Sequence, residues 1–202
     1  MAVKSEEELR EIYKHPKESV LKKILPKLDK HCRNFIEHSP FLVMATANSE
    51  GQTDASPKGD APGFSKVLDD HTLIIPDRIG NNIADCLINI LQVPEIGLIF
   101  FIPGIRETLR INGSCQIVAD EQTLNPHTVD GKPPQSVFKV TVREAFMHCG
   151  KSIIRSDLWG QNNRLDQKDF PTLGQIMSEQ IGGLDAADTD KRLENSYKNK
   201  LY

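Results

Sequence analysis

The chain has 202 residues, of which 38% are hydrophobic and 26% charged, and a formal net charge of −3 at pH 7. That length and balance fit one folded domain that buries its own core, and they exclude a disordered chain and a strongly basic nucleic-acid binder. The longest nearly unbroken apolar run, 96–102, falls far short of the ~20 residues a membrane helix needs. The opening MAVKSEEELREIY has no apolar signal-peptide core, so a cytoplasmic protein with no membrane partner is expected.

In chain order, 5–38 has helical character. Glu6–Tyr13 is short and charged, 17–25 continues after Pro16, and Leu28, Cys32, Phe35 and Ile36 then recur on one face until Ser39-Pro40. Strands are expected at 41–46, 53–57, 64–68 and 72–76, and a helix at 80–91 with Ile83, Leu87, Ile90 and Leu91 on one side. Further strands follow at 96–102, 108–118 and 136–142, with a polar loop at 120–135. The stretch 144–154 has helical spacing, 156–171 is irregular, and 172–182 and 184–200 are expected to be helices. Five to seven strands with one helix between two of them suggest a mainly β (α+β) antiparallel barrel with helices outside.

Familiar catalytic signatures are missing. Gly150-Lys151-Ser152 would end a P-loop, but Ala145 stands where its first glycine belongs. No nucleotide-binding glycine motif, nucleophile elbow or zinc motif occurs. The four cysteines, Cys32, Cys86, Cys115 and Cys149, form no CxxC and are expected to be reduced packing residues. His31-Cys32 and His148-Cys149 are adjacent pairs whose side chains diverge, so no metal site is expected.

The informative segment is Ala55-Ser56-Pro57-Lys58-Gly59-Asp60 with Asp77-Arg78-Ile79-Gly80-Asn81-Asn82. A strand ending at Pro76 and a helix starting near Gly80 would aim free backbone N–H groups into the turn between them. Arg78, Asn81 and Asn82 add donors, and Lys58 a second positive charge, which together make a phosphate cradle. The alternative is that Asp77 and Asn81 only cap the helix while Arg78 is solvated.

Three further stretches complete a pattern: Asn89-x-x-x-x-Pro94-x-x-Gly97-Leu98-Ile99-Phe100, Glu107-Thr108-Leu109-Arg110-Ile111-Asn112-Gly113, and His148-Cys149-Gly150-Lys151-Ser152-Ile153-Ile154-Arg155-Ser156-Asp157-Leu158-Trp159. With the segment above, they resemble the pyridoxamine 5'-phosphate oxidase-like flavoproteins, in particular a subgroup of FMN-dependent enzymes of unassigned substrate. The likeness covers about residues 30–180. It implies an FMN-binding split β-barrel with flanking helices, a homodimer with FMN at the interface, and oxidoreductase chemistry on a small molecule. The implied divisions are a helical segment at 1–38, the FMN-binding barrel at 39–155, and a loop and helices at 156–202 belonging to the same domain.

By the same resemblance, Ser56, Pro57 and Lys58 line the flavin and reach toward its phosphate. Asp77, Arg78, Gly80, Asn81 and Asn82 fall on the phosphate turn and helix start. Thr108 and Arg110 open the strand that approaches the flavin or the partner's site, and Arg155, Ser156 and Trp159 would close over a flavin across the dimer. Asn81-Asn82 replaces the basic pair of the vitamin B6 oxidase, so Arg78 and Lys58 are expected to compensate. That enzyme's C-terminal arginine and histidine signature is not recognisable here, so pyridoxamine phosphate is not the expected substrate. No catalytic residue is assigned, because the flavin carries the redox chemistry. His148 is expected to be a buried, hydrogen-bonded side chain rather than a proton donor, and Trp159 stacks on the flavin or anchors the tail. The alternative functions are a flavin-binding carrier or sensor without turnover, and a barrel that binds haem or a deazaflavin.

Overall fold

The structure is a computed structural model that describes residues 2–202. Seven strands form one sheet: β1 (Phe41–Ala47), β2 (Thr53–Gly59), β3 (Lys66–Val67), β4 (Thr72–Asp77), β5 (Glu95–Phe101), β6 (Thr108–Val118) and β7 (Ser136–His148). Every neighbouring pair is antiparallel, in the order β2-β1-β5-β6-β7-β4-β3. The two ends of that order nevertheless meet. Lys58 Nζ on β2 lies 2.8 Å from Asp77 Oδ1 on β4, and Asp60, just past β2, pairs with Arg78, just past β4. The sheet is therefore curled round a closed core.

Alternation fills that core. Leu42, Met44, Leu98, Phe100, Leu109, Ile111, Phe138 and Val140 point inward and are buried. Val43, Ile99, Arg110 and Phe146 form one cross-strand row on the outer face. Helix α3 (Lys30–His38) adds Cys32, Phe35 and Ile36 to the core, and Asp29 caps it by accepting from the His31 and Cys32 amides. Helix α4 (Asp85–Gln92) buries Cys86, Asn89 and Ile90, and Asn89 donates to Thr46 Oγ1 and Asp54 Oδ2 at 3.1 and 2.7 Å. Cys32, Cys86 and Cys115 are buried free thiols, whereas Cys149 is exposed. Burial pushes Cys32 up to about 11 and Cys115 to about 12.

Four elements differ from the expected ones. The expected helix at 144–154 is instead the end of β7, which stays paired with β6 as far as Thr108–His148. A bulge opposite Asn112 and Gly113 leaves Arg143 as the extra residue, and the buried residues step from Val142 to Ala145. That three-residue step imitates helical spacing in the sequence. Only after it does the short α6 (Lys151–Ser156) form. The second difference is α4, which starts at Asp85 rather than Gly80, because Asn82 and Ala84 take φ of 61° and 60° and break the helix.

In the third, the expected 17–25 helix shrinks to α2 (Glu18–Leu21), and Leu25 instead bonds both ways with Ala145 on β7 at 2.9 Å. The fourth is the 64–68 strand, of which only Lys66–Val67 pairs. The remaining helices are α1 (Glu6–Tyr13), α5 (Glu121–Leu124) inside the polar loop, α7 (Leu173–Ile181) and α8 (Ala186–Asn199). Gly174 at the start of α7 packs on α8, where its amide and the Thr172 hydroxyl both donate to Asp190. Among the described residues, no helix is long and apolar enough to cross a membrane.

Candidate functional site

Where the sheet ends meet, a cleft of about 120 Å³ opens between β2, the turn after β4 and the first turn of α4. Ser56, Lys58, Asp77, Arg78, Gly80, Asn81 and Asn82 all line it. Local sequence explains its shape. Pro76 is the penultimate residue of β4, and the two positive-φ residues Asn82 and Ala84 fold the chain before α4 can begin. Ala84 has no side chain able to cap, so α4 starts uncapped at the cleft wall, whereas α1, α3, α7 and α8 each have a side-chain cap. The first α4 amide with a partner is that of Ile88, bonded to Ala84 O. The amides of Asp85, Cys86 and Leu87 have none among the described residues. An uncapped first turn carries a partial positive charge and suits an anion.

Neither Asp77 nor Asn81 caps α4. Asp77 is buried against Lys58, and Asn81 Oδ1 accepts from the Ile83 amide at 3.0 Å. Lys58 also lies 4.9 Å from the centre of the Phe138 ring, a cation–π contact that fixes its stem.

Arg78 is neither solvated nor wholly free. Its Nε donates to Asp60 Oδ2 at 2.9 Å and its Nη1 to the His127 carbonyl at 2.9 Å, while its guanidinium lies 5.2 Å from the Tyr202 ring centre. The Tyr202 hydroxyl donates to the other Asp60 oxygen at 2.7 Å. Burial disfavours the Asp60 charge, but hydrogen bonds from Tyr202, the Ala61 amide and Arg78 outweigh it and hold the carboxyl below its ordinary value of 3.8. Asp60 stood in the informative segment without a role of its own, and His127 and Tyr202 were not singled out in the sequence. Their partners are 18, 49 and 142 residues away, a separation that no local pattern encodes.

The other expected residues lie elsewhere on the chain. Pro57 is exposed on β2. Thr108 and Arg110 line a groove of about 470 Å³ on the outer face, with Val43, Gly97, Ile99, Phe101 and Asn112. His148 also lines it and is exposed, contrary to the buried histidine expected. His148 does sit at the expected strand-to-helix junction, as the last residue of β7 just before α6, but that junction lies at the outer groove and not in the core. Trp159 donates from Nε1 to the Ile105 carbonyl at 2.8 Å and lines a separate hollow with Gly104 and Arg106. Arg155 and Ser156 are exposed on α6. The chain thus gathers seven of the thirteen candidates in one cleft, and leaves Thr108 with Arg110, and Trp159, in others.

Residues 28–149 match the sequence profile of the pyridoxamine 5'-phosphate oxidase family, and these residues include every strand and α4. The chain belongs to the pyridoxamine 5'-phosphate oxidase family. Among solved structures, the chain is similar to HupZ of Group A Streptococcus, at 19% identity over 59% of this chain and 92% of that one, TM-score 0.48. It is also similar to an FMN-binding protein from Syntrophomonas wolfei subsp. wolfei, at 11% identity over 70% and 92%, TM-score 0.46. A third is an F420 reductase, at 17% identity over 57% and 94%, TM-score 0.40. No curated protein matches the chain. The antiparallel barrel with flanking helices is the split β-barrel of this family.

Proposed function

We propose that the chain is an FMN-binding flavoprotein, an FMN-dependent oxidoreductase that acts on a small molecule and works as a homodimer. The observation that carries this reading is the donor set at the start of α4. Three unpartnered amides, the Lys58 ammonium and the Asn81 and Asn82 side chains converge on one cleft. Such a set suits a phosphate monoester better than a neutral ligand. Two acids also line the cleft: Asp77, whose charge is offset by Lys58, and Asp85 in the first turn of α4. The two asparagines fit a grip built on neutral donors, in place of a basic pair.

FMN would supply the redox chemistry. The chain's own residues then bind and orient. Lys58, Asn81, Asn82 and the α4 amides hold the phosphate, with Asp77, Gly80 and the free edge of Arg78 shaping the turn. Ser56, with Pro57 beside it on β2, would help to hold the flavin. Thr108 and Arg110, with Arg155, Ser156 and Trp159 from a second copy, would cover it and exclude water. Within this reading 39–155 is the flavin-binding unit, with 1–38 packed on it and 156–202 completing it.

The test is a titration with FMN followed by quenching of flavin fluorescence. Lys58→Met is expected to weaken binding at least tenfold, because a charge-assisted contact contributes about 1.5–3 kcal/mol. That variant also unpairs Asp77, so Asn82→Gly is the control: it keeps the left-handed backbone, removes the amide and should weaken binding several-fold. Unchanged affinity in both variants would remove the phosphate from this cleft.

A further inference from the structure

Arg78 also lines a second cleft, on its far side. This hollow of about 230 Å³ lies between the loop after β2 and the 126–129 turn. Pro62, Phe64 and Pro76 give it apolar walls, while Lys66, Arg78 and His127 supply its positive or protonatable groups. His127 is only 9% exposed, and its ring nitrogens have no hydrogen-bond partner among the described residues. Those nitrogens are not sealed off, since the one buried side-chain polar atom without a partner among the described residues is Ser65 Oγ, and they are therefore free to bond a ligand in the cleft. Lys66 likewise has no carboxylate partner among the described residues.

Asp60 is the one acid lining this cleft, and both its oxygens are engaged, by Arg78 and by Tyr202. The cleft is therefore a positive hollow lined by a mostly buried imidazole whose nitrogens have no protein partner among the described residues. Burial, then the charges of Lys66 and Arg78, hold His127 below its ordinary value of 6.5. On the other side of Lys66 a neighbouring hollow holds Ser65, whose buried Oγ also lacks a partner. There, however, Glu37 lines the wall and Arg33 is committed to Asp70. That contrast selects the His127 side for an anion.

We propose that the cleft between Lys66, His127 and the outer edge of Arg78 binds a small phosphorylated ligand by its phosphate group. The hollow is smaller than the roughly 300–1,000 Å³ of a drug-sized pocket, so the ligand carries few atoms beyond the phosphate. This site is separate from the FMN reading and shares only Arg78 with it.

The test uses the full chain at constant ionic strength, with inorganic phosphate and then sulfate as probes. Histidine ring signals are followed by NMR, and that of His127 is assigned by its loss in His127→Gln. The expected result is a saturable shift of the His127 signal with both anions. Sulfate keeps its charge across this pH range, and it should bind more tightly at pH 6 than at pH 8, since a bound anion favours the imidazolium. Lys66, Arg78 and Asp60 are the other charged groups lining the cleft. Lys66→Gln, an exposed position, should weaken binding at least fivefold and leave FMN affinity unchanged. Shifts that rise linearly with anion, equal binding in Lys66→Gln, or saturation by acetate alone would each overturn the proposal. Loss of FMN binding in Lys58→Met with normal sulfate binding would separate the two sites.

Discussion

Removing Arg78 leaves Asp60 charged in a place where only 4% of its side chain is exposed. Breaking one side of such a buried pair costs about 3 kcal/mol, because the remaining charge has lost its partner but not its burial. Arg78→Ala is therefore expected to lower stability by about that much in urea denaturation at pH 7. The pH dependence has a definite sign. Asp60 is held below its ordinary value in the folded chain, so its contribution is full above pH 4 and fades as pH falls through the folded value. The penalty of Arg78→Ala should shrink correspondingly below pH 4, and a penalty constant with pH would assign it to lost packing instead. At this scale, the turn Asp77-Arg78-Ile79-Gly80-Asn81-Asn82 was legible as a place where polar side chains gather, because strand, turn and helix follow each other in the chain. The Asp60 and Tyr202 contacts to Arg78 were not legible, because they depend on the barrel closing.

Among the elements, β7 shows best how a period can mislead. Its two halves alternate in different frames, joined by the bulge at Arg143, and a reader of spacing alone finds a strand up to Val142 and a helix beyond it. Gly113, opposite the bulge, is the residue that admits this geometry. A Cβ there would meet the Thr141 carbonyl and the Val142 Cα of the neighbouring strand. Because those are backbone atoms they cannot rotate away, so Gly113→Ala should destabilise the chain by about 1–3 kcal/mol, read as a lowered denaturation midpoint. An unchanged midpoint would mean that the bulge is absent. The late start of α4 has a comparable origin. Ile83, Leu87, Ile90 and Leu91 keep helical spacing, yet Ile83 is 63% exposed because the left-handed residues Asn82 and Ala84 flank it and hold it out of α4, and Leu91 is 78% exposed because the buried face is Cys86, Asn89 and Ile90. By contrast β6, with its unbroken run of Thr108–Val118, was fully legible, since β7 pairs it along that run and β5 pairs it from Leu109 to Ser114.

For the whole molecule, the outer sheet face matters most. Val43, Ile99 and Phe101 line a broad groove there, and Phe41 and Phe101 pack their rings 6.1 Å apart on the same face. An apolar surface of this kind marks an interaction site. In our reading it is covered by a second copy, with FMN between the two. Ile99→Asp changes a side chain that faces away from the barrel core, so the fold should persist. The variant is expected to run as a monomer in light scattering and to lose FMN affinity, whereas a dimer with undiminished FMN binding would move the interface elsewhere. The split barrel was legible from strand order and motifs, but the meeting of β2 with β4, which makes the cleft, exists only in three dimensions.

The most direct test of the central claim is the visible spectrum of the freshly purified protein, followed by chromatography of any released chromophore. The account predicts flavin absorbance, with FMN as the released species at about one per chain, or stoichiometric uptake of added FMN by a colourless preparation. A protein that is colourless and takes up no FMN, or that releases haem or a deazaflavin instead, would contradict it.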